Sequence, residues 1–172
     1  MPGRLDFRRT AASGFAPMVR RMAAILACVP IALSAAPPAL PKASDLARDA
    51  ATMRSERMPM VVLYSQAGCS YCETARSYLV PMSAPEAQGR RALFRQIDID
   101  SDAALVDFTG TRSTHRAVAR TQKARFTPTV RVFDADGRAV GDDIVGMRLE
   151  DFYGQYVENA IDEARSRMGA TD

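Results

Sequence analysis

The chain has 172 residues, 47% hydrophobic and 25% charged, an ordinary globular composition for about one domain, which sets aside disorder, collagen and long repeat arrays. Three cysteines, at positions 28, 69 and 72, are too few for a disulfide-stapled mini-fold or a four-thiolate zinc site. The formal charge of +3 sits at the front: residues 1–36 hold five arginines and one aspartate, whereas residues 37–172 carry 18 basic and 19 acidic residues, a balance that excludes a global field for phosphates and hence a nucleic-acid partner.

From Met18 the chain reads Met18-Val19-Arg20-Arg21, then an almost wholly apolar run from Met22 to Leu33, then Ser34-Ala35-Ala36 and prolines at 37, 38 and 41. A basic start, an apolar run and small residues at its end are the parts of a secretory signal peptide. Residues 1–36 are therefore expected to be an export leader, with residues 1–17 an extension ahead of Met18 and residues 37–44 a proline-rich linker. A membrane-spanning helix needs about 20 apolar residues; Pro30 interrupts a shorter run here, so no stable span is expected. The Arg20-Arg21 pair reads as the leader's basic start rather than a twin-arginine signal. Cys28, with the apolar run continuing past it, reads as a small apolar leader residue.

Ser44 or Asp45 caps a helix over residues 44–57, with Leu46, Ala50 and Met53 at helical spacing, and Pro59 stops it. Met60 to Tyr64 is a continuous apolar, partly β-branched run, the pattern of a central strand covered on both faces. Ser65-Gln66-Ala67-Gly68 forms a turn, and Cys69-Ser70-Tyr71-Cys72 opens a helix that continues to Val80 and closes at Pro81. After a polar loop, residues 92–100 form a second strand marked by Phe94, Ile97 and Ile99, and residues 102–109 and 114–124 are predicted helical. Residues 127–133 form a third strand with Val130 and Val132 on one face. The Asp134-Ala135-Asp136-Gly137 turn joins it in a hairpin to a fourth strand over 139–145, which Gly146 ends. The last helix runs from about Leu149 to Met168, with Phe152, Tyr156, Ala160 and Ile161 inward. The expected fold is one α/β domain over residues 45–168, a central mixed sheet of about four strands flanked by helices.

The placement of the cysteine pair between a buried strand and a helix carries the chemistry. The free amides and positive dipole end of a helix's first turn favour a thiolate, which lowers the first cysteine's pKa. Cys69 is thus the expected nucleophile; Cys72, one turn further in, is the resolving thiol.

The order strand, CxxC, helix, strand, helix, Phe126-Thr127-Pro128-Thr129, hairpin, helix resembles the thioredoxin superfamily over roughly residues 45–168. The resemblance implies a thioredoxin-like fold and a cis peptide bond between Thr127 and Pro128 beside the sulfurs. It also implies that the Thr127 backbone pairs with an extended substrate segment, with Gly146 near the same groove. With its leader, the chain looks most like exported SoxW-like thioredoxins, and Tyr71 before the second cysteine is similar to periplasmic disulfide-bond enzymes. The chain departs from thioredoxin in having no tryptophan, Ser70-Tyr71 between the cysteines, and Leu63 where thioredoxin holds a buried acid; Glu73 is a candidate substitute for proton transfer. The implied function is an exported, periplasmic thiol-disulfide oxidoreductase without a cofactor, a reductase more than an oxidant. Its expected partners are protein thiol or disulfide substrates and a membrane electron donor, and it is expected to be a monomer.

The alternative is a non-catalytic thioredoxin-like binding module in which Cys69–Cys72 is a permanent staple. Zinc needs four ligands, and His115 is the only histidine; covalent haem needs a histidine after Cys72, where Glu73 stands. No metal site is therefore expected. His115, among Arg112, Arg116 and Arg120, is expected on a solvated helix face, and Asp98, Asp100 and Asp102 in a solvated loop.

Overall fold

The structure, a computed structural model, describes residues 39–84, 91–148 and 150–169. The expected leader lies outside the described residues, as do the first two residues of the expected linker and Leu149. Ten regular elements follow one another: α1 (Leu46–Glu56), β1 (Met60–Ser65), α2 (Ser70–Met82), β2 (Leu93–Asp98), β3 (Ala104–Val106), β4 (Arg112–Thr114), α3 (His115–Thr121), β5 (Thr129–Phe133), β6 (Ala139–Val145) and, after a single 3₁₀ turn at Glu150–Phe152, α4 (Tyr153–Arg167).

Four strands make the mixed sheet in the order β2-β1-β5-β6, with β1 and β2 parallel and the β1/β5 and β5/β6 pairs antiparallel. Every residue of β1 is buried, as its unbroken apolar run predicts. Alternation then divides its side chains between two cores. Val61 and Leu63 pack with Ala75 and Leu79 of α2, Val130 and Val132 of β5, and Tyr153 and Val157 of α4. Met60, Val62 and Tyr64 face the other way, toward Leu46 and Met53 of α1 and Val118 and Ala119 of α3. The Asp45 carboxylate caps α1 by accepting from the Arg48 amide at 2.8 Å.

Three expectations are corrected. Residues 102–109 are not helical: β3 and β4 form a small antiparallel hairpin. The Asp107 Oδ1 accepts from the Thr109 and Thr111 amides at 2.9 and 3.0 Å, and Gly110 takes a positive φ of 84°, so turn chemistry overrides the apolar spacing. In the last helix the buried stripe is Tyr153, Val157, Ile161 and Ala164, while Phe152 and Tyr156 are exposed. Phe152 belongs to the 3₁₀ turn, and the helical register starts one residue later. Finally, the described part of the expected linker, residues 39–44, is folded. Leu40 and Ala43 are buried, and the chain hydrogen-bonds along β2 through Gln96 N to Pro41 O (2.8 Å) and Ala43 N to Gln96 O (2.9 Å). Among the described residues no helix is long and apolar enough to cross a membrane.

Candidate active site

β1 delivers the chain to the carboxyl end of the sheet, where Gly68, at φ 68°, turns it into α2. Ala67 donates its amide to the Asp100 carboxylate at 2.9 Å, which fixes this turn to the loop after β2. Cys69 is the N-cap of α2, in extended conformation, and its Sγ accepts from the Cys72 amide at 3.2 Å. The Cys69 carbonyl accepts from the same amide at 3.0 Å and from the Glu73 amide at 3.3 Å. A side-chain sulfur therefore occupies the position that a serine or aspartate oxygen takes at an ordinary helix start. Cys69 and Cys72 are disulfide-bonded with their Cα atoms 5.2 Å apart. Cys69 is partly exposed, whereas Cys72 is wholly buried.

The antiparallel register between β1 and β5 pairs Tyr64 with Thr129. The start of β5 is thus level with the end of β1, and the preceding Thr127–Pro128 bond, which is cis, falls at the CxxC end of the sheet. Pro128 is buried and Thr127 half-buried. Gly146, at φ 73°, donates its amide to the Pro128 carbonyl at 2.8 Å, tying the end of β6 to the same place. Cys69 and Cys72 at the start of α2, Thr127 and Pro128 before β5, and Gly146 after β6 thus lie at the same end of the sheet. Tyr71 stands out from the first turn of α2, 66% exposed. Phe126, 70% exposed just before Thr127, is a second aromatic at this end.

Arg76 is a further member of the site region. Its guanidinium donates to Ser65 Oγ at 2.9 Å and Gln96 Oε1 at 3.3 Å, and pairs with Glu73. One side chain, four residues after Cys72, thereby locks α2 to the ends of β1 and β2. The i+4 spacing places Arg76 on the Cys72 face of the helix and is readable in the sequence; its partners, one on each of two strands, are not. Glu73 itself is solvent-exposed, and the Arg76 hydrogen bond, then the Arg76 charge, hold its carboxyl below the usual range. Leu63 lies within an apolar cluster.

His115 does not lie on a solvated face: it is 3% exposed. Its Nδ1 accepts from the Asp98 amide at 3.0 Å, joining α3 to the end of β2. Burial pushes its pKa down, against the Asp98 charge and a hydrogen bond with the Ala43 backbone. Each of the three aspartates has a structural partner. Asp98 meets Lys42 and Gln96, Asp100 the Ala67 amide, and Asp102 the Arg116 guanidinium at 2.7 Å. Among the described residues no group of three or more histidine, cysteine, aspartate or glutamate side chains could hold a metal.

The sequence profile of a thioredoxin-like domain matches residues 46–160. No curated protein matches the sequence. Similar solved structures include oxidised thioredoxin O2 from Arabidopsis thaliana, 18% identical, covering 69% of this chain and 94% of that one with a TM-score of 0.46. Oxidised mitochondrial thioredoxin 3 from Saccharomyces cerevisiae is 16% identical, covering 72% and 93% with a TM-score of 0.47. A thioredoxin-fold protein from Helicobacter pylori is 16% identical, covering 67% and 82% with a TM-score of 0.47. With the profile spanning well over half of its length, from the first helix into the last, the chain belongs to the thioredoxin-like domain family.

Proposed function

We propose that the protein is an exported thiol-disulfide oxidoreductase that reduces protein disulfides in the periplasm through Cys69 and Cys72. The observation that carries this reading is the asymmetry of the pair: an accessible sulfur on the free amides of a helix start, bonded to a wholly buried one. In the reduced protein the Cys69 thiolate attacks one sulfur of a substrate disulfide and forms a mixed disulfide, and the other substrate sulfur leaves as a thiolate that takes up a proton. Cys72, losing its proton, then attacks Cys69 Sγ. The Cys69–Cys72 bond forms, the second substrate sulfur departs, and two electrons have passed to the substrate. Thr127 and Pro128, with Gly146 behind them, hold the substrate segment alongside, the Thr127 backbone pairing with it as an added strand. Tyr71 covers the segment's far side.

Export rests on the basic, apolar and small-residue succession of residues 18–36. A reductase in an oxidising compartment needs a dithiol donor to regenerate Cys69 and Cys72, and a membrane protein is the source we assign. The protein acts as a monomer.

The test is Cys72→Ser, which stalls the reaction at the mixed disulfide. Partners trapped on Cys69, released by dithiothreitol, are the expected result. A variant that traps nothing, together with a wild-type protein that fails to reduce insulin, would make the pair a structural staple. Equilibration against glutathione decides direction, and a potential in the range of strong oxidants would overturn the reductase assignment.

A further inference from the structure

Between Phe108 and Phe133 the chain has no aspartate or glutamate and six cationic residues: Arg112, Arg116, Arg120, Lys123, Arg125 and Arg131. Residues 37–172 nearly balance only with this stretch included, so it concentrates positive potential on one region of an otherwise acidic body. Arg116 and Arg131 are held by Asp102 and Asp143 at 2.7 and 2.5 Å. Arg120 and Arg125 are exposed, and neither side chain has an ion-pair partner among the described residues. The nearby Asp102 carboxylate is engaged by Arg116 and feels Arg120 only as a more distant charge.

Arg116, Arg120 and Arg125 rim a shallow cleft of about 350 Å³ whose floor is Ile99, Ala119 and Ala124. The cleft adjoins the CxxC end of the sheet on two sides. Ile99 donates its amide to the carbonyl of Ser65, the last residue of β1, at 2.8 Å. Arg125 immediately precedes exposed Phe126 and the cis Thr127–Pro128 bond.

We propose that this cleft docks an acidic, apolar segment of the protein with which Cys69 and Cys72 exchange electrons; the partner's class rests on the redox reading above. A carboxylate of that segment meets Arg120 and Arg125, whose planar guanidinium groups suit bidentate pairing. A neighbouring aliphatic side chain covers Ile99, Ala119 and Ala124. The apolar floor favours a protein segment over a nucleic acid, whose backbone needs a continuous cationic track.

The test is direct binding, which needs no turnover. The full chain is titrated with two labelled dodecapeptides carrying serine in place of cysteine, one with Asp-Leu-Glu triplets flanking the serine and one with Lys-Leu-Lys. The acidic peptide is expected to bind at least about tenfold more tightly at low salt, the gap closing as salt rises, and Arg120→Glu with Arg125→Glu is expected to abolish the preference. Should that variant fail to fold, Arg120→Gln with Arg125→Gln gives the same ordering with a smaller loss. Equal affinity for the two peptides overturns the proposal. So does a preference that keeps its wild-type size in whichever double variant folds, or tighter binding of a mixed-sequence oligonucleotide or of phosphatidylserine-containing vesicles. Wild-type turnover of 2-hydroxyethyl disulfide, small and uncharged, reads the cysteine pair without the cleft. Its absence would strike the redox reading, while the peptide comparison still decides the docking surface.

Discussion

The amide of Cys72 donates to the sulfur of Cys69 at 3.2 Å, so the backbone of the resolving residue also solvates its partner. When the disulfide is reduced, this amide and the dipole end of α2 favour the Cys69 thiolate, whereas Cys72 is removed from water. Iodoacetamide added to reduced protein is therefore expected to label Cys69 in preference to Cys72, at a rate at least about tenfold above that of an unstructured thiol at pH 6. Peptide mapping reads the site and a pH series the rate. Labelling of Cys72 first would reverse the two roles.

Arg76 and Glu73 form one ion pair with two unequal halves. Glu73 is exposed, and its loss leaves nothing buried without a partner, so Glu73→Gln is expected to leave the urea midpoint close to that of the wild type. Arg76→Met strips hydrogen bonds from Ser65 and Gln96, which are 1% and 4% exposed, and is expected to destabilise by about 2–3 kcal/mol. Urea unfolding of the disulfide-bonded protein measures both. Equal effects would show that the surface pair, and not the clamp between α2 and the strand ends, is what matters.

His115 gives stability a pH dependence near neutrality. Burial lowers its folded pKa, the Asp98 charge and the Ala43 backbone bond oppose that, and the Lys42 charge adds to it. As pH falls below the unfolded value of about 6.5, the unfolded chain binds the proton first. Its contribution is thus complete above that value and lost as pH falls toward the folded one. The unfolding midpoint of the wild type should drop between pH 7.5 and pH 5.5, while His115→Gln, less stable at pH 7.5, should show a flatter profile. Asp98 does not confuse the window. Burial raises its pKa, but the Lys42 and Gln96 hydrogen bonds outweigh this and lower it, so its contribution is lost only below about pH 4. A midpoint in His115→Gln that falls as steeply as in the wild type would move the effect elsewhere.

These residues show what a sequence reveals of such a fold. β1 is legible because six consecutive buried positions leave no polar alternation to misread, and the Cys69 helix start because a glycine turn and a capping sulfur are local in the chain. His115 is misread because its neighbours in sequence are arginines while its pocket comes from Ala43 and Asp98, far from it along the chain. The β3–β4 hairpin is missed for the opposite reason. Its signal is local, the Asp107 carboxylate and Gly110, but Leu105 and Phe108 supply a competing helical spacing. Arg120 and Arg125 read singly as solvated charges, and only the fold sets them over one apolar floor.

The register of α4 is the error with the sharpest consequence, because large aromatics draw the eye while the 3₁₀ turn has shifted the face. Tyr153, wholly buried, packs against Tyr78 with ring centroids 5.6 Å apart, and its hydroxyl has no hydrogen-bond partner among the described residues. Burial accordingly pushes that phenol's pKa well up. Removing the hydroxyl relieves an unpaired polar group, so Tyr153→Phe is expected to be neutral or to stabilise by up to about 1–2 kcal/mol. Val157→Ala, one turn on along the same stripe, should destabilise by about 1–3 kcal/mol, whereas Tyr156→Ala, 42% exposed, should remain under about 1 kcal/mol despite deleting the larger group. Thermal unfolding of the three variants orders them. If Tyr156→Ala proved the most damaging, the inward face would be the one the aromatic pattern predicts, and α2 would pack against a different side of α4.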